Sequence, residues 1–303
     1  MSVYKRPQDI KVGVIGYGGA FDMGRKHLEL MQQAQMTPVA VAELDRERRA
    51  AAEEEFPGIE TYSSPDEMLE KSDVNLITII TPHNTHADLG LQCLRAGRHV
   101  VCEKPLAITT SECNRMIEEA RTQDLVLSTF HNRHWDGCIL GAVERILQKN
   151  DIGDIVRIEA HKGVRKQPGD WWRSSKSVSG GALYDWGVHL LEYALQLLPD
   201  TSMTEVSGYT SNGYWAPETR WKDDTVEDEA YAVVRLDSGQ WLSLCISSID
   251  SHPKEGTVEI TGTEGSYIFD AKTWTTVKYE NDQRVTRTGN NPKGEGWRYY
   301  QNI

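Results

Sequence analysis

The sequence contains no apolar run approaching the ~18 residues of a transmembrane helix. Its first ten residues hold Lys5 and Arg6 but no apolar stretch, so no secretory signal is expected. There is no basic surplus: 33 Lys and Arg stand against 45 Asp and Glu, a net charge of −12. An acidic chain without a basic block is a poor partner for nucleic acid or an anionic membrane surface. Cysteines are few, scattered and odd in number, five at positions 93, 102, 113, 138 and 245, with no CxxC pair. They read as reduced thiols of a cytoplasmic protein, not as a disulfide framework or a zinc site. Internal repeats, low-complexity tracts and long Pro or Gly/Ser linkers are also missing.

What is present suits a globular enzyme-sized chain. Its 303 residues, 39% hydrophobic and 26% charged, are enough for a core and about two domains. Composition shifts along the chain, because eight of nine tryptophans lie at or after Trp171 and only Trp135 precedes it. The first 130 residues alternate short apolar runs with helical stretches, and the rest reads as longer alternating strands. We therefore expect domains at 1–130 and 131–303.

Residues 10–15 form an apolar run that ends in glycines, as a buried parallel strand does. Gly16, Gly18 and Gly19 follow, then Gly24 and a helix from Arg25 to about Gln35. Glycines at a strand-to-helix turn let the backbone approach a pyrophosphate, and the helix start supplies N–H groups. The spacing is stretched, since the third glycine of G-x-G-x-x-G falls on Phe21. A second strand, 38–42, ends at Glu43, where a dinucleotide fold holds the adenosine ribose. Glu43 favours NAD by repelling a 2′-phosphate. Arg46, Arg48 and Arg49 keep NADP open, although they also suit the solvated first turn of a helix over 45–55. Further strands at 74–80, 98–102 and 125–130 complete a parallel sheet, and polar motifs follow their ends. Thr81-Pro82-His83-Asn84-Thr85-His86 follows one and Glu103-Lys104-Pro105 another, at the edge where open α/β sheets bind ligands.

With these two motifs the chain resembles the Gfo/Idh/MocA oxidoreductases, the glucose-fructose oxidoreductase and inositol 2-dehydrogenase family. Gly180-Gly181 with Asp185, Gly187 and His189 is similar to the family's G-G-x-x-x-D-x-G-x-H helix, and Thr261-Gly262-Thr263-Glu264-Gly265 to a turn between its late strands. The likeness spans about residues 10–270. It implies an α/β fold: an N-terminal Rossmann parallel sheet, then an α/β domain with a large, mostly antiparallel, open-faced sheet. It implies NAD or NADP as cofactor, held by Gly16, Gly18, Gly19, Gly24, Glu43, Thr81, Pro82, His86 and Glu103. It also implies a cis Lys104–Pro105 peptide and a sugar, cyclitol or related polyol as substrate. Family members usually continue beyond a segment like 297–303 into a helix, so the chain reads as truncated there.

Oxidising a secondary alcohol takes a hydride from carbon, which the cofactor accepts, and a proton from oxygen, which the protein must accept. His189 has the right pKa class for that base. Asp185, four residues earlier, shares its helix face and orients the ring or binds substrate. Lys104 brings positive charge to the developing alkoxide. We expect these three around one cleft between the domains. The rival reading of His189 is a hydrogen-bonded core histidine, because 183–198 is apolar on almost every face. Trp172, Arg173 and Lys176, with Trp171, suit a sugar ring and its hydroxyls, though aromatics are also ordinary packing residues. His131 and His134 have no third ligand grouped with them, so no metal is expected. Two rival functions share the fold: an NAD-dependent glycosidase using transient oxidation, and a non-catalytic dinucleotide-binding regulator. Strands at 155–162, 204–214, 230–236, 241–248, 257–261 and 267–270 make the second sheet, whose open face suits a homodimer or homotetramer.

Overall fold

Short apolar runs of the first 130 residues become strands that are buried on both faces, with helices between them. In the computed structural model, which describes residues 4–19 and 21–303, the strands are β1 (Lys11–Ile15), β2 (Thr37–Ala42), β3 (Glu60–Tyr62), β4 (Leu76–Ile79), β5 (His99–Glu103) and β6 (Leu127–Phe130). Between them lie α1 (Met23–Gln33), α2 (Arg46–Glu55), α3 (Pro65–Lys71), α4 (His86–Arg95) and α5 (Thr110–Thr122). All neighbours pair in parallel in the order β3-β2-β1-β4-β5-β6. This is the doubly wound order, whose ligand crevice lies at the carboxyl ends of the strands where the order reverses. Val12, Val14, Ile77, Ile79, Val100 and Val101 are wholly buried, which is why these runs carry no polar alternation. The sequence reading missed β3, which is three residues long and bears Glu60 and Thr61.

The second unit runs from His131 to Gly296. A 3-10 turn at Asn132–Trp135 precedes its first α-helix, α6 (Gly137–Val143), and its strands are β7 (Ile155–Gly163), β8 (Met203–Ser211), β9 (Glu229–Leu236), β10 (Trp241–Ser247), β11 (Val258–Gly262), β12 (Gly265–Phe269), β13 (Thr273–Glu280) and β14 (Gln283–Asn290). Two helices, α7 (Lys176–Ser179) and α8 (Val188–Leu197), lie between β7 and β8. The sheet order is β14-β13-β12-β11-β7-β10-β9-β8, antiparallel except between β7 and β10. Period-two alternation gives it one packed face. Ile158, Ala160, Leu242, Leu244, Val258 and Ile260 meet Ile139, Ala142, Leu190, Ala194 and Leu197 of α6 and α8 in one core. A hairpin turn at Asp237–Gln240 joins β9 to β10, with Gly239 at a positive φ of 93°. The sequence reading missed β13 and β14, because their polar residues do not alternate. The tight Asn281-Asp282 turn between them, with φ of 51° and 61°, is a hairpin signal that was there to be read.

One domain assignment needs correction. Residues 297–303 belong with the first unit, not the second. Their short helix α9 (Arg298–Asn302) buries Tyr299 and Tyr300. The Tyr299 hydroxyl meets the Ser128 hydroxyl at 2.6 Å and donates to the Thr129 carbonyl at 3.1 Å, and its ring packs edge-on to Phe130. Two large aromatics with polar tips find both a greasy wall and hydrogen-bond partners along β6.

Candidate active site

The glycine loop after β1 is built around close backbone approaches. Gly16 has φ of +92°, and a Cβ there would lie 2.5 Å from the Ile80 carbonyl oxygen. Gly24, the second residue of α1, is packed so tightly that a Cβ would sit 2.7 Å from Tyr17 Cα and 3.0 Å from Gly16 O. It thus supplies the helix-to-strand contact that the third glycine of the shorter motif supplies. The extra residues end at Asp22, whose φ is 50°, before the helix begins. Ala20 lies outside the described residues. A Cβ on Gly19 would meet nothing within 4 Å among the described residues beyond its chain neighbours.

Glu43, at the end of β2, is turned toward this loop. One carboxylate oxygen accepts the Tyr17 N–H at 2.8 Å and the Gly18 N–H at 3.4 Å, and the other accepts the Asp45 N–H at 3.0 Å. Asp45 caps α2 by accepting from the Glu47 and Arg48 amides. The three arginines behave differently. Arg48 lies against Gly18, close enough that a Cβ on that glycine would collide with its side chain. Arg49 donates to the Glu43 and Leu44 carbonyls, and Arg46 is exposed. Open glycine backbone, a helix start and a carboxylate at the second strand end fit a dinucleotide.

After β4, the Thr81 hydroxyl meets the Thr85 hydroxyl at 2.6 Å, and Thr85 donates to the Pro82 carbonyl at 2.7 Å. His86 departs from the expectation that it touches the cofactor. Its side chain is wholly buried, with Nδ1 2.8 Å from the Pro105 carbonyl oxygen and Nε2 2.9 Å from that of Thr81. Burial pushes its pKa below the ordinary histidine value, although the two carbonyls pull the other way. His86 is a strut between the loop after β4 and the loop after β5. Glu103 is likewise turned inward, toward His27. Lys104 follows it, half-buried, and the Lys104–Pro105 peptide is cis.

In the second unit, Gly180 and Gly181 have φ of 91° and 121° and open the segment carrying Asp185 and His189. The regular helix expected over 183–198 is broken at its start. Leu183–Gly187 forms a π turn, and α8 begins only at Val188. Asp185 thus lies in the π turn and His189 in the regular helix that follows it. His189 is buried, its ring centroid 5.6 Å from that of Trp186 and 6.5 Å from that of His131. Asp185 faces Arg173, with Oδ1 3.5 Å from Nε, and the Arg173 guanidinium lies 4.3 Å from the Trp172 ring and 5.0 Å from that of Trp171. Lys176 does not join this group. Its ammonium is 2.7 Å from Glu227, whose buried carboxylate also accepts the Ala182 N–H at 2.9 Å. Burial raises the Glu227 carboxyl, and the Lys176 and Ala182 bonds overcome that and lower it below the usual range. The pair pins the double-glycine turn, which replaces the substrate-binding role expected of Lys176. His134 is paired with Glu192 at 2.6 Å.

Sequence reasoning missed Lys162. It lies on β7 with the parity of Ile158 and Ala160, on the helix-covered face, and its ammonium is 3.1 Å from the Trp186 ring centroid. The Arg133 guanidinium is 4.7 Å from the same ring. Burial, then Arg133, lowers the Lys162 pKa, and Asp185 partly restores it. A lone cation on the packed side of an alternating strand was the available signal.

A parallel sheet in this order, with its glycine loop and strand-end carboxylate, joined to a unit with an Asp–His helix start, defines the class of two-unit, dinucleotide-binding oxidoreductases. Residues 10–131 match the oxidoreductase family with an NAD-binding Rossmann fold, and residues 141–268 match the GFO/IDH/MocA C-terminal domain. The chain belongs to the GFO/IDH/MocA oxidoreductase family. It is 33% identical to the uncharacterised oxidoreductase YdgJ of Escherichia coli over 62% of this chain, an alignment that spans only about half (54%) of that relative's length. It is 27% identical to the myo-inositol 2-dehydrogenase of Thermotoga maritima over 90% of this chain and 79% of that one. Among solved structures, it superposes on a levoglucosan dehydrogenase in complex with NADH and levoglucosan with a TM-score of 0.77, at 25% identity, covering 93% of this chain and 80% of the other.

Proposed function

We propose that this protein moves a hydride between a nicotinamide and a hydroxyl-bearing carbon of a sugar, cyclitol or related polyol. The observation that carries the reading is the group of side chains around the start of α8: Asp185 facing Arg173, the Arg173 guanidinium over Trp172, and His189 and Lys162 both against Trp186. An imidazole provides a proton acceptor, and aromatic rings beside cations suit a hydroxylated ring. The similarity to a myo-inositol 2-dehydrogenase and a levoglucosan dehydrogenase supports ring-bound hydroxyls as the reacting groups.

Bound NAD supplies the hydride acceptor. The Gly16–Gly19 backbone and the start of α1 hold its pyrophosphate, and Glu43 faces its adenosine ribose. Thr81 and Pro82 line the loop beside it, with His86 and Glu103 acting from behind. His189 takes the hydroxyl proton, Asp185 orients the ring or the substrate, and Lys104 offsets the developing negative charge. Trp172, Arg173 and Lys162 bind the remaining hydroxyls. NAD is preferred over NADP because Glu43 stands at the second strand end. Five free cysteines and the acidic charge support a cytoplasmic location. The open face of the second sheet, where Tyr209 is paired with Tyr231, is proposed to be covered by a second copy of the chain.

The test is a turnover assay on myo-inositol, scyllo-inositol, levoglucosan and a panel of sugars with NAD and with NADP. NADH formation on ring alcohols is the expected result. Aglycone release without NADH accumulation would indicate the glycosidase reading instead. Cofactor binding with no turnover on any substrate would indicate a regulator.

A further inference from the structure

Glu103 and the C-terminal Tyr300 are joined through a side chain whose place in the sequence gives no hint of it. His27 is in α1, wholly buried, with Nδ1 2.6 Å from the Tyr300 hydroxyl and Nε2 3.2 Å from Glu103 Oε1. The Tyr300 hydroxyl is also 3.1 Å from the Thr78 hydroxyl of β4. The second Glu103 oxygen accepts the backbone N–H of Lys104 at 3.0 Å. For a His27 ring carrying one proton, one direction of donation satisfies every contact. Thr78 donates to Tyr300, Tyr300 donates to His27 Nδ1, and His27 donates from Nε2 to Glu103, which accepts the Lys104 amide with its other oxygen. Burial raises the Glu103 carboxyl, but His27 and the Lys104 charge and amide lower it below the usual range, so it remains an acceptor. His27 further packs on Phe130, with centroids 4.2 Å apart, so the ring has little freedom to turn.

We propose that His27 and Tyr300 are positioning residues for Lys104, acting through the Glu103 carboxylate on the Lys104 backbone. The inference rests on the catalytic reading of Lys104 given above. Four elements, α1, β4, β5 and α9, thus converge on the backbone amide of that residue. A carboxylate gripped on both oxygens cannot rotate, and the peptide it holds is fixed with it. The C-terminal helix therefore contributes to the geometry of Lys104 as well as to the packing of its unit.

The test compares Tyr300→Phe, His27→Gln and the control Tyr299→Phe, each with NADH bound. Tyr299 lies in the same helix and is similarly buried, and its hydroxyl meets the Ser128 hydroxyl and the Thr129 carbonyl. Two readouts are taken. The first is the pH titration of the Lys104 signal in reductively 13C-methylated protein, assigned by its loss in Lys104→Arg. The second is kcat and KM on the best substrate of the panel above. The expected result is a displaced Lys104 titration in Tyr300→Phe and His27→Gln but not in Tyr299→Phe. With it, kcat falls on the order of 10–100-fold while NADH affinity is kept. An unmoved Lys104 titration in both variants, or an equal change in Tyr299→Phe, overturns the proposal. A moved titration with no turnover in the wild-type protein would sustain the positioning and overturn the oxidoreductase reading.

Discussion

Lys162 illustrates how a residue's chemistry depends on its neighbours. On an exposed strand it would be a solvated charge, but here its ammonium lies against Trp186, beside Arg133 and within reach of the Asp185 field. If it binds a substrate hydroxyl, Lys162→Met should cost a charge-assisted hydrogen bond of about 1.5–3 kcal/mol, on the order of 10–100-fold in kcat/KM. Unchanged kcat/KM in a folded variant would remove it from the site. Arg48, leaning on Gly18, gives a second test at this scale. Arg48→Ala should leave NADH affinity nearly unchanged and weaken NADPH, as fluorescence titration of both would report. Equal loss for both would make Arg48 part of the general dinucleotide cradle. Lys104, Asp185 and His189 were proposed as site residues from the sequence because they stand in short motifs at element ends. Lys162 and His27 were not, because each is an isolated residue whose meaning comes from partners distant in sequence, Trp186 for one and Tyr300 for the other.

At the scale of the element, most strands and helices followed from apolar runs, while β3, β13, β14 and the local irregularities did not. The π turn at Leu183–Gly187 shares its apolar pattern with an ordinary helix, so periodicity alone could not distinguish them. Gly24 shows the reverse case, a loop three residues longer than the simple motif that still ends in the required close contact. Gly24→Ala forces a Cβ to 2.7 Å from Tyr17 Cα. It should destabilise the fold by about 1–3 kcal/mol and weaken NADH binding, measured by denaturant melts and titration. Unchanged stability would mean that the α1 start yields freely. The strut at His86 carries a pH signature. Its folded pKa is lowered, so the unfolded chain binds the extra proton first as pH falls. Its contribution is complete above about pH 6.5 and is lost on acidification toward the folded value, at up to about 1.4 kcal/mol per pH unit. His86→Gln should therefore flatten that part of the stability-versus-pH curve. A wild-type slope retained in the variant would assign the dependence elsewhere.

For the whole molecule, the boundary at Phe130 was visible as a change from alternating strand and helix to a run of strands. The return of 297–303 to the first unit was not, because nothing in Trp297-Arg298-Tyr299-Tyr300 names the wall it packs on. That wall, Phe130 with Ser128 and Thr129, is assembled only by the fold. The central claim is that His189 accepts the substrate proton, and a core histidine in the same place is its strongest rival. The most direct measurement is kcat, melting temperature and NADH affinity taken together on His189→Asn. We predict kcat lowered by ~10²–10⁴-fold, with melting temperature and NADH affinity near those of the wild type. Near-normal kcat in a stable variant would contradict the claim, and so would a collapsed melting temperature with only proportionate loss of activity.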